Sequence, residues 1–296
     1  MLNKVNLMKL PKLQQLKYLV ALYDTGHFGQ AAKKCFVSQS TLSSAIQALE
    51  EQLDSQLIER DHKTFVFTPL GIEVVTKSRL ILEQSADLVA TSSAEGNEFS
   101  GELHIGIIPT IAPFVLTPLI KKCAEVYPNL NLFLREDTTE NCLSLLREGR
   151  LDIVLLATPY QLSEFVELEL TSDPFVKVFH PEKQGDNVYL LEKDHCLSEH
   201  TVQAFNLSKS DKVHPFQASS LNTLLAMVEG HYGETYLPKL AVQAGLLNNT
   251  MLKTEFIDDE NADRKLSLIW RKTSHRRVFF GQVGATIQQV LEELIK

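Results

Sequence analysis

The chain has 296 residues, of which 44% are hydrophobic and 22% charged, and this composition is typical of a soluble globular protein with two or three domains. No stretch is apolar for long enough to span a bilayer and no signal-peptide pattern is present, so we expect a cytoplasmic protein without a membrane partner. The net charge of −8 disfavours non-specific binding of nucleic acid, yet it is unevenly spread, with +1 on residues 1–94 and −9 on residues 95–296. A phosphate backbone would therefore be tolerated best by the N-terminal part.

The first elements have the pattern of a compact helical unit. Apolar residues recur with helical spacing from Leu13 until Gly26 ends the helix, and a second predicted helix covers 28–35. Residues 36–37 form a turn, and Ser38 is a good N-cap for a third helix. The apolar face of that helix comprises Leu42, Ile46, Leu49 and Leu53.

A short strand and a long helix follow. Residues 65–67 read as the strand of a wing after a hairpin at 61–64, and a helix without internal Gly or Pro covers 71–94. Two stripes of apolar residues repeat every seven positions along it: Val74, Ile81 and Leu88, and Val75, Leu82 and Val89. This spacing favours a dimerising linker helix, and the alternative is an amphipathic helix packed on its own domain.

Beyond a hinge at 94–101, strands alternate with helices, which predicts an α/β domain with parallel strands. We expect strands at 103–108, 130–134, 153–157, 188–191, 233–237 and 266–270, and helices at 113–127, 141–148, after Ser220, and at 278–295. The fold class is α+β overall. The predicted domains are a helical N-terminal domain at 13–71, a linker helix at 72–94 and an α/β domain at 101–296.

The number and spacing of the cysteines limit the redox chemistry that the chain can perform. Cys35, Cys123, Cys142 and Cys196 lie far apart, without a CxxC pair or a zinc-type spacing, so we expect neither a disulfide framework, a metal site nor a cofactor. In a reducing cytosol they are thiols by default, and a single reactive thiol remains open.

Residues 16–71 resemble the winged helix-turn-helix of LysR-type transcriptional regulators. The matching elements are Phe28, Ala31-Ala32, Val37-Ser38-Gln39, Thr41-Leu42-Ser43, Leu49-Glu50, Leu53, Glu59-Arg60, Thr68 and Gly71. The resemblance implies a homodimer or homotetramer on double-stranded operator DNA, with RNA polymerase as a further partner if the protein is an activator. It also implies an effector domain of two α/β subdomains of periplasmic-binding-protein type, here 101–172 with 272–296, and 173–271.

Within that family the effector domain is similar to the OxyR-like peroxide sensors. The similarity is carried by 101–110, 136–139, 190–197, 218–225 and Leu237-Pro238. It implies a redox-sensing thiol at Cys196, directly after a histidine. It also implies a peroxide pocket formed by Thr110, Thr139, His195, Glu199 and Arg271, where Glu199 stands in place of the usual Asp.

Three features depart from those sensors. The resolving cysteine expected nine residues after Cys196 is Phe205, so that disulfide is impossible. The segment 175–186 is shorter, and no Lys or Arg lies between Lys34 and Arg60. A sulfenic acid formed at Cys196 would persist, be capped by glutathione, or be resolved by another thiol, with Cys142 as a weak candidate. The alternative is that Cys196 is a buried structural cysteine.

The predicted DNA-contacting residues form a small polar face on the third helix, which suits base edges in a major groove. They are Ser38, Gln39, Ser40, Thr41, Ser43, Ser44 and Gln47. Phosphate contacts must come from Lys33, Lys34, Arg60, His62 and Lys63. A winged helix used only for protein contacts is the alternative.

Three functions compete at this point. The first is a regulator that responds to hydrogen peroxide through Cys196. The second is a regulator of the same family that binds a small metabolite between its subdomains, where Pro109-Thr110 and Ser219-Ser220 offer polar groups at helix starts. The third is a thiol peroxidase, but no nucleophile, base and acid constellation supports an enzyme.

Overall fold

The computed structural model describes residues 10–60, 65–92, 100–182, 185–207, 212–231, 233–257, 259, 262–274 and 276–296. The chain divides into two compact units, residues 1–96 and 97–296, which are described separately. None of the described helices is long and apolar enough to cross a membrane.

The N-terminal unit has a three-helix core with a short two-stranded sheet and a long final helix. Its elements are α1 (Leu13–Thr25), α2 (Phe28–Lys34), α3 (Gln39–Gln52), β1 (Ile58–Arg60), β2 (Phe65–Phe67) and α4 (Pro69–Ser92). Gly26 ends α1 in the left-handed conformation, and the Ser38 hydroxyl accepts the Thr41 amide to cap α3, as the sequence predicts. The apolar faces of the three helices meet in one core, in which Leu42, Ile46 and Leu49 are fully buried.

One carboxylate contributes two hydrogen bonds to the attachment of the wing to the core. Glu50 Oε1 accepts the backbone amides of Leu57 and Ile58 at 2.8 and 3.0 Å, which fixes the start of β1 against α3. Gly71 lies so close to this segment that a Cβ atom there would clash with the carbonyl oxygen of Leu57. The close approach explains why α4 carries a glycine in its first turn.

The residues of the two apolar stripes on α4 are buried to different extents. Val75 is buried in the core of its own unit and so cannot form a dimer surface, contrary to the prediction, while Val74 and Leu82 are half-buried against that core and their part in a dimer stays a prediction. Ile81 and Leu88, seven residues apart, are 48% and 74% exposed and remain candidates for contact with a second subunit. The side chain of Val89 lies outside the described residues.

The effector unit is built on a continuous nine-stranded sheet with helices packed against it. Its strands are β3 (Gly101–Ile107), β4 (Leu130–Glu136), β5 (Ile153–Thr158), β6 (Phe165–Phe179), β7 (Val188–Leu191), β8 (Val213–Ala218), β9 (Glu234–Pro238), β10 (Lys253–Phe256) and β11 (Asp263–Arg271). Its helices are α5 (Ala112–Val126), α6 (Thr139–Arg147), α7 (Cys196–Ala204), α8 (Leu221–His231), α9 (Lys239–Gln243) and α10 (Arg277–Ile295).

The sheet order is β4-β3-β5-β11-β6-β9-β7-β8, and β10 pairs with the far end of β6. The long strands β6 and β11 run antiparallel through the middle; β6 contributes residues to both hydrophobic cores, whereas β11 contributes only to the first. The predicted boundary assigned β11 to the second subdomain, but Leu266, Leu268 and Ile269 are buried in the core of the first. The strand therefore belongs mainly to subdomain I, because it pairs with β5 along most of its length.

We expect Glu50→Ala to destabilise the N-terminal unit by about 2 kcal/mol, because two buried amides lose a charged acceptor. The matched control is Glu51→Ala on the same turn of α3, which removes only a 3.4 Å bond from Gln47 and should cost less than about 0.5 kcal/mol. Native-state hydrogen exchange of the α1 and α3 amides in the whole chain measures both. Equal losses of protection in the two variants would contradict the attachment of the wing through Glu50.

Candidate functional site

Cys196 is the first residue of α7, and it lies at the junction of the two cores. Its side chain is only 7% exposed and borders a narrow cleft that is too tight to hold a water molecule. The cleft is lined by Ile108, Pro109, Thr110, Thr138, Thr139, Asp194, His195 and Cys196. The end of β3, the start of α6 and the start of α7 thus converge on one point, where the family resemblance implied a shared pocket.

Several hydrogen-bond donors face the sulfur. The buried Thr139 hydroxyl borders the same cleft and has no hydrogen-bond partner among the described residues, and together with the backbone amides of Cys196 and Leu197 it lowers the pKa of the thiol. These donors and the nearby Arg264 guanidinium favour the thiolate. Burial outweighs them and raises the pKa of Cys196 above its ordinary value, so the thiol form dominates at neutral pH.

The arginine of the site is Arg264, and the prediction of Arg271 in this role is wrong. Arg264 donates from Nη1 to Thr110 Oγ1 at 2.8 Å and pairs with Asp173, both side chains being fully buried. Arg271 lies at the other end of β11, about 23 Å away along the strand, and donates to the carbonyls of Leu146 and Leu151. Arg271 thus holds the end of α6 in place and does not reach Cys196.

Of the other residues predicted for the pocket, three border the cleft and one does not. Thr110 and Thr139 border the cleft, and so does His195, whose Nε2 lies 3.1 Å from the Ser219 carbonyl oxygen. Glu199, one turn along α7, is exposed and accepts a hydrogen bond from Gln203, so it does not line the cleft. Glu199 stays outside although it lies only three residues after Cys196, because the buried face of α7 comprises Cys196, Leu197, Ser198, His200 and Thr201.

Position 205, where a resolving cysteine was expected, is occupied by an aromatic contact. Phe205 ends α7, stacks on Tyr236 of β9 at 3.9 Å between ring centroids, and meets Phe175 of β6 edge-on at 5.8 Å. The nine residues of α7 separate Cys196 from Phe205 by about 13 Å. The aromatic cluster fixes the far end of the helix that begins at Cys196.

Cys142 is poorly placed to resolve an oxidised Cys196. It is fully buried against Gly106 and its sulfur donates to the Asp137 carbonyl. Burial, with the nearby Asp137 carboxylate, raises the pKa of Cys142 to about 12, and burial raises that of Cys123 to about 11. Neither thiol is an accessible nucleophile in this conformation.

Sequence reasoning missed Asp173, Arg264 and His200. His200 is buried, its Nε2 lies 3.2 Å from the Pro159 carbonyl, and its Nδ1 has no partner. Burial lowers the pKa of His200, so it is neutral at pH 7. The available signal was weak: an Asp-Pro pair at 173–174 and an arginine two residues before an apolar strand.

The predicted DNA surface is exposed on the N-terminal unit. Among its polar residues on and before α3, Ser43 is half-buried and the other six are exposed. Arg60 is held near this face by Ser43 at 3.2 Å and Glu50 at 3.6 Å, while Lys33 and Lys34 end α2. His62 and Lys63 lie outside the described residues.

Both parts of the chain match known families. Residues 13–72 match the bacterial regulatory helix-turn-helix proteins of the lysR family, and residues 96–294 match the LysR substrate binding domain. The HTH-type transcriptional regulator EstR of Acinetobacter baylyi is 38% identical over 280 residues, covering 90% of this chain and 92% of EstR. The DNA-binding transcriptional dual regulator OxyR of Escherichia coli is 33% identical over 289 residues, covering 93% and 94%.

Solved structures show the same architecture. A single-residue variant of full-length OxyR from Pseudomonas aeruginosa superposes with a TM-score of 0.80 at 27% identity, over 94% of this chain and 98% of that one. The reduced form of the regulatory domain of OxyR2 from Vibrio vulnificus is 38% identical with a TM-score of 0.62, over 66% of this chain and 98% of that one. The chain is therefore a member of the LysR family of DNA-binding transcriptional regulators and is homologous to OxyR.

Proposed function

We propose that this regulator responds to hydrogen peroxide through Cys196, without forming a disulfide. The observation that carries the proposal is the arrangement of donors around one sulfur: two backbone amides, the otherwise unpartnered Thr139 hydroxyl and the Arg264 guanidinium. The same groups suit the two oxygens of a peroxide, because one oxygen must be held while the other is attacked.

In the proposed reaction the Cys196 thiolate attacks one peroxide oxygen and the O–O bond breaks. The second oxygen leaves as hydroxide and takes up the thiol proton, which gives a sulfenic acid and one water molecule. Because no cysteine stands at position 205 and Cys142 is buried, the sulfenic acid persists or is capped by a small thiol such as glutathione. The added oxygen enlarges a side chain in a tight cleft and thereby shifts the packing between the two cores.

A second candidate signal is a small polar metabolite bound in the same cleft. Two observations favour it: burial keeps Cys196 protonated, and the N-termini of α6 and α7 both face the cleft with their free amides. Such a pair of helix ends suits a carboxylate or a similar anion. In this case Cys196 contributes shape and takes part in no reaction.

Near-stoichiometric peroxide should add one oxygen (about 16 Da) to the wild-type chain and nothing to Cys196→Ser, and a sulfenic-acid trap should label Cys196. Intact-mass spectrometry followed by peptide mapping measures this. The control is Cys142→Ser, which should react like wild type. A loss of two protons would point to a disulfide, and a reaction no faster than that of an ordinary thiol would favour the metabolite.

For DNA, we propose that the polar face of α3 contacts base edges and that few cations anchor the phosphates. Lys33, Lys34 and Arg60 are the described candidates, and Arg60 is partly neutralised by Glu50. The affinity should therefore be modest, and its dependence on salt should be shallow.

Lys33→Ala should reduce the slope of log K against log salt by about 0.9 for each bound subunit in which Lys33 contacts a phosphate. Gln39→Ala should instead relax base preference and leave the slope unchanged. Both are measured by fluorescence anisotropy on a duplex selected by the wild-type protein from a random-sequence pool. A steep wild-type slope, or a slope change in the Gln39 variant, would contradict this assignment.

We also propose that the subunits pair through the exposed seven-residue repeat of α4. Ile81→Glu with Leu88→Glu should lower the molar mass in light scattering, because two apolar contacts become repulsive at the helix pair. The matched control is Glu73→Gln, on an exposed part of the same helix, which should leave the mass unchanged. An unchanged mass for the double variant would place dimerisation elsewhere.

A further inference from the structure

The ion pair between Asp173 and Arg264, near the Cys196 cleft, links the two long antiparallel strands β6 and β11. Asp173 of β6 and Arg264 of β11 stand directly opposite each other in the antiparallel register. Nε and Nη2 of Arg264 both donate to Asp173 Oδ2, at 3.1 and 2.9 Å, and neither side chain reaches solvent. Because both groups have lost their hydration, their charges are stabilised only by each other and by hydrogen bonds from the protein.

Both partners are fixed by further hydrogen bonds. Arg264 donates from Nη1 to Thr110 Oγ1 at 2.8 Å and from Nη2 to the Thr110 carbonyl at 3.2 Å. The other oxygen of Asp173 accepts the amide of Leu240, at the start of α9, at 2.9 Å. Of the five N–H groups of the guanidinium, four are thus used, and the fifth is on Nη1, the nitrogen bound to the cleft residue Thr110.

This pairing changes the charge that Cys196 experiences. A lone guanidinium close to the sulfur would strongly favour the thiolate. Because the carboxylate of Asp173 contacts the guanidinium and is equally buried, the pair presents a dipole in place of a full positive charge. The guanidinium therefore opposes the effect of burial on the Cys196 thiol less than a lone cation would.

We propose that Asp173 is a positioning residue that sets the reactivity of Cys196 through Arg264. Its carboxylate aims the guanidinium at Thr110 and cancels enough of the positive charge to keep the thiol slow at rest. A movement that separates Asp173 from Arg264 would therefore activate the thiol. The proposal rests on the proposed function only in giving Cys196 the signal-receiving role, since reactivity is measurable with any electrophile.

Other ionisable groups lie around the sulfur and must stay constant in the test. They are Asp194 and His195 before α7, Glu199 and His200 on α7, and Tyr160 after β5. Substitutions at Asp173 and Arg264 leave all five in place. A changed pH profile in those variants therefore reports the altered pair.

The test is a double-mutant cycle on the full chain: wild type, Asp173→Asn, Arg264→Gln and the double variant. The rate of Cys196 alkylation by iodoacetamide, in which the thiolate displaces iodide, is followed from about pH 6 to 10 by peptide mass spectrometry. We expect Asp173→Asn to shift the midpoint to lower pH and to react about tenfold faster at pH 7. Arg264→Gln should shift the midpoint to higher pH, and the double variant should return toward wild type.

The matched control is Asp263→Asn, the neighbouring residue on β11, whose partner Lys265 is 41% exposed. It should leave the midpoint unchanged, because solvent screens that pair. If Asp173→Asn does not fold, the carboxylate is isolated by comparing Arg264→Gln with the double variant, whose midpoint must be the lower of the two.

A higher plateau rate at an unchanged midpoint would mean that Asp173 only holds the packing, and it would overturn the proposal. Equal midpoints for Arg264→Gln and the double variant would overturn it as well. A protein that fails to respond to peroxide would sink the proposed signal but leave this result intact, because iodoacetamide reports the thiolate directly.

Discussion

The effector unit depends on the burial of a guanidinium between its two cores. An uncompensated charge at such a place costs several kcal/mol, so each neighbour of Arg264 is tightly constrained. Thr110 ties it to the loop after β3, Asp173 ties it to β6, and Leu240 ties Asp173 to α9. The loop after β3, strand β6 and helix α9 are therefore joined through one buried ion pair near the Cys196 cleft.

An aromatic cluster occupies the far end of α7, where a disulfide switch would need a second thiol. A disulfide between positions 196 and 205 requires their Cα atoms to come within about 7 Å, which would unwind the helix. Here Phe205 stacks on Tyr236 and packs against Phe175, so the helix gains apolar contacts where a second thiol would act. In the proposed function, signal reception is thus confined to the N-terminal end of α7, where a small change in volume meets close-packed walls.

Much of the fold follows from local sequence patterns, and the exceptions are instructive. Ser38, Gly26 and the helical periodicity placed α1 to α3 within a residue or two, because capping and apolar spacing are local. Strands β6, β8 and β10 were not predicted. For β10 the reason is that all four of its residues are exposed and show no alternation. Val75 on α4 was misassigned because its seven-residue spacing from Leu82 does not reveal whether the partner is another subunit or the same domain.

The proximity of Thr110, Thr139 and Cys196 was expected from the family resemblance, because these residues are far apart in the sequence. The parallel pairing of β3 and β4 brings the segments with Thr110 and Thr139 to one edge, whereas Cys196 follows β7, which is not paired with either strand. The choice between Arg264 and Arg271 depends on which end of β11 faces α7, which is a property of the tertiary register. The role of Asp173 could not be predicted for the same reason, since its partner Arg264 lies 91 residues away in the sequence.

The central claim is that Cys196 receives the signal that alters DNA binding. The most direct measurement is the footprint of the full chain on its selected duplex, before and after peroxide, for wild type and Cys196→Ser. The account predicts that peroxide changes the protected length in wild type and leaves that of Cys196→Ser unaltered. A footprint that changes equally in both proteins, or in neither, would contradict it.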